Sequence, residues 1–436
     1  MRNKEKGITL IALIITIIVM LILVGVVVTV VIQSNLLGTA KTAGDKYKTA
    51  YEDESNMSEV TINGEKYASI EDYLEGKVKL PEGAGKRFSE TKEYNDGTKT
   101  AWIPAGFTVS GIKSETTIDG GLVIYDIPEG TDVNWDDPES VKPVYNQFVW
   151  IPVEVNKETD TETNIANFYR SEWVNNARSG NLTESTEYTE PSVENDTDDK
   201  TKIASQIENL TKSIYKYGGF YIGRYEAGSI EERKESTTGV TTLGIKQDMY
   251  PYIYVKWGES MSEIGTEGAV ALSNSLYNSN NYGATSMLCT GACWDSMLDF
   301  IKDEEHNATS SADWGNYSDA EFNITRGKYA KIVSYTLSTF QSLDNEYQKT
   351  ETAKVLLTTG ATDRNSAKNI YDVAGNCQEW TLESYSSNSR VCRGGAYMHT
   401  GSYNQNSYYP ASDRNDVNPN ISDFSGSFRP IMYVNL

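Results

Sequence analysis

The chain opens on an uncharged apolar run, Ile8 to Ile32, behind a short basic leader, MRNKEKG. At about 1.5 Å per helical residue the run spans roughly 37 Å, enough to cross a hydrocarbon core of about 30 Å. Arg2, Lys4 and Lys6 would hold the N-terminus inside, placing everything after Gln33 outside the cytoplasm. Leu36, Leu37, Ala40, Ala43, Tyr47 and Tyr51 continue at three- and four-residue spacing, which predicts a helical extension. Residues 52 to 97 are polar and acidic and read as a stalk. From Trp102 the pattern changes to short aromatic and β-branched runs bounded by Gly, Pro or Asn: Gly121–Ile124, Phe148–Val153 and Gly219–Ile222. These predict strands and turns.

Two stretches have helical spacing instead. Ile207, Leu210, Ile214 and Tyr217 share a face within Ile203–Tyr217, and Trp294, Met297, Leu298 and Ile301 share another. Residues 154–202 hold few large apolar side chains and read as a surface insertion. The predicted class is α+β, without a regular βαβ alternation. The predicted organisation is a leader (1–7), an apolar helix (8–32), a helical extension and stalk (33–97), and one domain (98–436).

A formal net charge of −22 over 436 residues argues against a nucleic-acid partner, whose affinity rests on Lys and Arg against phosphates. Four cysteines, Cys289, Cys293, Cys377 and Cys392, allow three pairings outside the cytoplasm, and the sequence does not choose among them. Cys289 and Cys293 lack a matching Cys or His pair at zinc spacing. With two histidines, His306 and His399, there is little material for histidine-based catalysis.

The junction Lys6-Gly7-Ile8-Thr9-Leu10-Ile11 resembles a type IV prepilin leader, which implies cleavage between Gly7 and Ile8. Pilins usually carry Glu at the fifth mature position; here it is Ala12. An uncleaved single-span anchor accounts for the same run.

Three motifs follow in order in the last third: Asn369-Ile-Tyr-Asp-Val-Ala-Gly-Asn-Cys-Gln-Glu-Trp380, Arg390-Val-Cys-Arg-Gly-Gly-Ala-Tyr397 and Gly426-Ser-Phe-Arg-Pro430. Together with Phe148–Val153 and Gly219–Glu226 they resemble the formylglycine-generating enzymes, or sulfatase-modifying factors. The resemblance runs from about residue 101 to the C-terminus and implies an irregular C-type-lectin-like fold. Oxygenase members hold copper(I) on a cysteine pair, and those positions fall on His399 and Asn404. No copper and no formylglycine chemistry are therefore expected. The resemblance also implies a calcium site built from the side chains of Asp372 and Glu379 and the carbonyls of Gly375 and Cys377. In the rival reading, Asp372 and Glu379 cap turns and pair with Arg393 or another base.

Between the motifs, residues 399–424 are rich in Asn, Ser, Tyr and Asp. Such residues make adaptable contact surfaces. The segment also resembles the variable region of retroelement-diversified proteins of lectin-like fold. Irregular loops favour the same residues for their own reasons. The candidate contacts are His399, Tyr403, Asn404, Asn406, Tyr408, Tyr409, Asp413 and Asn415. Gly394, Gly395, Phe428 and Arg429 read as scaffold. The expected function is a membrane-anchored surface protein that binds an extracellular protein or glycan. The alternatives are a diverged oxidoreductase of the same fold and a minor pilin-like structural subunit.

Overall fold

A computed structural model describes residues 60–62, 64–67, 70–74, 76, 79–182, 188–190, 198–259, 263–277, 282–343, 347–386, 389–403 and 407–436. The chain divides into two units, Met1–Leu80 and Pro81–Leu436. In the first, Val60–Ile62 pairs antiparallel with Glu65–Tyr67, and one helical turn follows at Ile70–Leu74. The leader with Gly7 and Ile8, the apolar run and its helical extension lie outside the described residues. Among the described residues no helix is long and apolar enough to cross a membrane.

The second unit starts earlier than the sequence pattern places it. Lys92–Asn95 pairs antiparallel with Thr100–Ile103. Tyr94 is buried there, and its hydroxyl donates to the Thr116 carbonyl at 2.8 Å. Residues 81–97 thus belong to the domain rather than to a stalk. One buried residue among four is too sparse a signal for the apolar pattern to report.

The core is built on a six-stranded antiparallel sheet. Its strands are β1 (Thr108–Val109), β2 (Val123–Tyr125), β3 (Gln147–Pro152), β4 (Gly219–Gly223), β5 (Ala284–Leu288) and β10 (Pro430–Val434), in the order β5-β10-β4-β3-β2-β1. Continuous apolar runs suit strands covered on both faces, and β4 is buried along its whole length. Helix α1 (Asp198–Tyr217) packs on β4 and β10. Ile203, Leu210 and Ile214 are at most 1% exposed, and burying each contributes about 1.5–3 kcal/mol. Helix α2 is Ala269–Ser275. Helix α3 (Gly291–Ile301) starts at a Thr290 cap, whose side chain accepts the Cys293 amide at 3.0 Å.

A second sheet carries the C-terminal motifs. Its strands are β6 (Gln378–Trp380), β7 (Arg390–Arg393), β8 (Asn415–Val417) and β9 (Gly426–Phe428), in the order β8-β7-β6-β9. Strands β6 and β9 run parallel, and Trp380 sits opposite Phe428. Only Arg429 separates β9 in this sheet from β10 in the large one. The Gly-Ser-Phe-Arg-Pro motif is therefore the point where the chain passes from one sheet to the other.

The stretch 154–202 is more than a surface insertion. It contains a hairpin, Ser171–Val174 with Ala177–Asn181, turned on the left-handed residues Asn175 and Asn176. Arg170 and Ser171 are buried, and the Ser171 amide donates to Asp295 of α3 at 2.7 Å. Ile165 is buried and Phe168 packs on Phe220 of β4, but these apolar residues are scattered among polar docking groups, so an apolar pattern does not reveal them. The fold is mixed α and β, with mostly strands and few helices.

Candidate functional site

The Gly-Asn-x-x-Glu-Trp motif folds into a tight, buried turn. Asp372, Gly375 and Asn376 all have positive φ, at 58°, 73° and 60°. A Cβ on Gly375 would stand 2.2 Å from the Asn316 carbonyl oxygen, so only glycine fits. Asn376 ties the turn to its surroundings. Its Oδ1 accepts from the Leu357 amide at 3.0 Å and from Asn316 Nδ2 at 2.9 Å, and its Nδ2 donates to Glu226 Oε1.

Glu379 on β6 meets Arg429 in a two-pronged pair, Nε to Oε2 at 2.9 Å and Nη2 to Oε1 at 2.6 Å. Arg429 also donates to the carbonyls of Gly223 at 2.9 Å and Tyr371 at 2.8 Å. One guanidinium therefore joins both sheets and the motif turn. Three carboxyls, from Glu226, Asp372 and Glu379, share its neighbourhood, all buried. Burial, reinforced by Asp372, pushes the Glu226 carboxyl well above its ordinary range. Burial also pushes Asp372 up to about 6. Asp372 Oδ2 accepts the Gly360 amide at 2.7 Å, while Asp372 Oδ1 and Glu226 Oε2 have no hydrogen-bond partner among the described residues.

This geometry bears on the implied calcium site. Asp372 does offer a free oxygen, but both oxygens of Glu379 are engaged by Arg429. Asp372, Glu379 and the carbonyls of Gly375 and Cys377 do not fit a calcium ion as they stand, because Glu379 would first have to leave its guanidinium. The pairing reading describes Glu379, with Arg429 as the base in place of Arg393. Among the described residues no group of three or more His, Cys, Asp or Glu side chains is arranged to hold a metal ion. Cys289, Cys293, Cys377 and Cys392 are buried free thiols, and burial pushes each thiol up, away from the reactive thiolate.

Arg393 belongs to a second buried network, centred on Asp295 of α3. Asp295 accepts from Arg393 at 2.8 Å, from Arg414 at 2.6 Å and from the Trp173 indole at 3.0 Å. Burial alone would raise the Asp295 carboxyl, but Arg393 and Arg414 outweigh it and hold the group below its ordinary range. Arg414 also reaches Glu383 at 3.0 Å, and Arg170 and Arg393 lie 3.7 Å from the same carboxylate. Burying one of these charges without the others would cost several kcal/mol. Together they fix the position of Arg414, which lies inside the candidate recognition segment.

That segment is a surface loop on a buried frame. At its start, Gly395 (φ 66°) passes so close to the Tyr409 carbonyl that a Cβ would meet it at 2.1 Å. Across the loop the Thr400 amide donates to Ser407 at 3.0 Å, and the Tyr409 amide donates to Thr400 at 3.0 Å. Asp319 accepts the amides of Gly401 and Ser402 at 2.9 and 3.0 Å. The Trp294 indole donates to the Ala411 carbonyl at 2.9 Å. Tyr403 is 67% exposed and packs edge-on against Tyr408, with ring centroids 5.8 Å apart. The Tyr408 hydroxyl donates to the Thr309 carbonyl. Asn404 and Asn406 lie outside the described residues.

The other expected contacts divide. His399 is half-buried, 4.4 Å from the Tyr409 ring between centroids. Its Nδ1 lies 3.0 Å from the Ala396 amide and accepts from it, so the proton sits on Nε2. Burial pushes the imidazole down to about 4. Asp413, half-buried beside Arg393 and Arg414, is pushed up to about 6 by burial. Asn415 pairs with Cys392 on β7 and donates to Gln378 at 2.7 Å. Asp413 and Asn415 thus hold the loop's return to the sheet, leaving Tyr403, Tyr408, Tyr409 and His399 along its outer part. The sequence offered no sign of Glu226, Asp295, Glu383 or Arg414 as partners, because each meets its counter-charge across a long stretch of chain.

His399 and Asp372 give opposite pH dependences in one window. A histidine lowered to about 4 contributes stability that is complete above about 6.5 and is lost as the pH falls towards 4, about 3 kcal/mol in all. An aspartate raised to about 6 contributes stability at low pH that is lost as the pH rises from about 4 to 6. Urea unfolding at pH 4 and 7 should therefore show His399→Gln losing the first slope and Asp372→Asn losing the second. Parallel pH profiles for both variants and the unaltered chain would contradict these assignments.

No known protein family matches the chain, and no curated protein matches it. Among solved structures, the chain is similar to one described as the crystal structure of CarF. That match has 15% identity and a TM-score of 0.28, covering 50% of this chain and 87% of that one. It is also similar to Treponema denticola variable protein 1, at 12% identity and a TM-score of 0.23, covering 79% of this chain and 99% of that one.

Proposed function

We propose that this chain is a membrane-anchored, cell-surface ligand-binding protein that presents the outer part of residues 399–413 to an extracellular protein or glycan. The anchor in this reading is Ile8–Ile32, behind a leader cut between Gly7 and Ile8. The scaffold is a formylglycine-generating-enzyme-like domain of C-type-lectin-like fold that carries His399 and Asn404 where oxygenase members carry the copper cysteines.

One observation carries the reading: solvent-facing aromatic and polar side chains are mounted on a frame of buried charges. Tyr403 is exposed, while Gly395, Ala411 and Arg414 tie the same loop to the core. A rigid loop loses little conformational freedom when it binds, and Tyr offers large contact area at low entropic cost. A floppy polar loop of the same composition would lack that advantage.

The test is a screen of the full chain against arrayed extracellular glycans and proteins, alongside a variant with residues 402–408 replaced by a Gly-Ser linker. The expected result is a ligand retained by the unaltered chain and lost by the variant. In parallel, a peptide of Cys-x-Pro-x-Arg type with copper and oxygen should show no mass change. Turnover of that peptide would move the chain into the enzyme class.

A further inference from the structure

Residues 396–399 close a turn that fixes one side chain of the proposed recognition face from both directions. The His399 amide donates to the Ala396 carbonyl at 2.8 Å, and the Ala396 amide donates back to His399 Nδ1 at 3.0 Å. The His399 carbonyl accepts the Ser318 amide at 2.8 Å and the Ser318 hydroxyl at 2.7 Å. Backbone and ring are therefore held together, and the ring proton is confined to Nε2. That nitrogen has no hydrogen-bond partner among the described residues, and it is not one of the enclosed unpartnered atoms. Its N–H is thus offered to solvent rather than used inside the fold.

The surroundings favour an uncharged partner. Burial keeps the imidazole neutral down to about 4. The charged groups that face it, Asp423 and Lys354, are of opposite sign and act on it in opposite directions. The Tyr409 ring stands 4.4 Å away between centroids, tilted by 39° to the imidazole. The Tyr409 hydroxyl has no hydrogen-bond partner among the described residues. One aromatic ring, one fixed donor and one free hydroxyl therefore stand side by side. A sugar ring matches that set, because its C–H face suits an aromatic ring and its hydroxyls both accept and donate. A backbone carbonyl would satisfy the imidazole but has no apolar face for Tyr409.

We propose that His399 is the specificity-determining donor of this face, its Nε2–H bonding a hydroxyl oxygen of an uncharged sugar whose C–H face lies on Tyr409. The proposal rests on residues 399–413 being the recognition face, and it narrows the ligand to a neutral glycan.

The test follows the full chain by magnetic resonance, isotopically labelled at its histidine nitrogens. Only two histidines contribute, and His399→Gln identifies the signals of residue 399. At pH 7 His399 should show a protonated Nε2 and a bare Nδ1. The chain is titrated with the methyl glycosides of glucose, galactose and mannose. Glucuronate and glucosamine serve as charged counterparts, and acetyl-alanine methylamide supplies a peptide carbonyl. At least one neutral glycoside should move the His399 Nε2 signal saturably, and neither the charged sugars nor the amide should match it.

Two substitutions separate recognition from packing. His399→Asn puts an oxygen where Nδ1 accepts the Ala396 amide but carries no outer donor. His399→Gln keeps a donor near the Nε2 position and loses the Ala396 contact. Calorimetry with the responding glycoside should show about a tenfold loss in His399→Asn. Binding should be largely kept in His399→Gln, although that variant melts lower than His399→Asn. Binding that follows melting in both variants, a His399 signal that no neutral glycoside moves, or an amide response equal to the sugar's overturns the inference. A chain that fails here but still loses an arrayed ligand when residues 402–408 are replaced keeps its recognition face and loses only the glycan assignment.

Discussion

Arg429→Ala should destabilise the domain by about 3–5 kcal/mol at pH 7, the range for breaking a buried ion pair from one side. The guanidinium is fully buried and makes four hydrogen bonds, two to Glu379 and one each to the Gly223 and Tyr371 carbonyls. Its removal takes from Glu226 and Glu379 the cation that offsets them, and leaves Asp372 only the weaker pull of Arg326. It also frees two buried carbonyls, at about 1–3 kcal/mol for each group left unsatisfied. Arg429→Met combined with Glu379→Leu should be less damaging than Arg429→Ala alone, because it removes the carboxylate bonded directly to the guanidinium and refills the space with apolar side chains. The loss in Arg429→Ala should shrink at pH 5, where the raised carboxyls take up protons. Urea unfolding of the variants at both pH values reads all three effects. A loss under about 1 kcal/mol, the same at both pH values, would mean that the cluster is not a charge-balanced unit.

Arg414→Ala should cost a similar amount, about 3 kcal/mol or more, and should disable binding as well. Arg414 is the residue of the 399–424 segment that enters the Asp295 network with its charge, touching Asp295 at 2.6 Å, Glu383 at 3.0 Å and the Ser171 carbonyl at 2.8 Å. Its loss leaves Asp295 to Arg393 and strips Glu383 of its nearest partner. It also releases the 170–181 hairpin from the loop's return strand. Near-neutral stability for Arg414→Ala would show that the loop stands without this anchor, and the argument from rigidity would fail with it.

The strands and helices were legible where one side of an element is apolar. Phe148–Val153 and Gly219–Ile222 appear as β3 and β4, and the spacing of Leu210, Ile214 and Tyr217 appears as α1. Boundaries were less legible: α1 begins at Asp198, and the domain begins near Pro81 rather than at residue 98. Of the charge networks, only the pairing of Glu379 with a base was legible, and the sequence did not say which base. Glu379 and Arg429 are 50 positions apart, Asp295 and Arg414 are 119 apart, and Glu226 and Asn376 are 150 apart. Nothing in the local pattern distinguishes a carboxylate that will be buried on a guanidinium from one that will face water or a metal. For the same reason Asp413 and Asn415, which looked like contact residues, serve to seat the loop.

The measurement that bears most directly on the central claim is the affinity of Tyr403→Ala for the arrayed ligand, set beside its melting temperature. Tyr403 is the most exposed of the candidate anchors and takes little part in packing beyond its edge contact with Tyr408. If the outer part of 399–413 is the recognition face, the variant should lose about 2 kcal/mol or more of binding energy. Its folding stability should stay within about 0.5 kcal/mol of the unaltered chain. Unchanged affinity in a chain that melts normally would contradict the account and place the recognition face elsewhere.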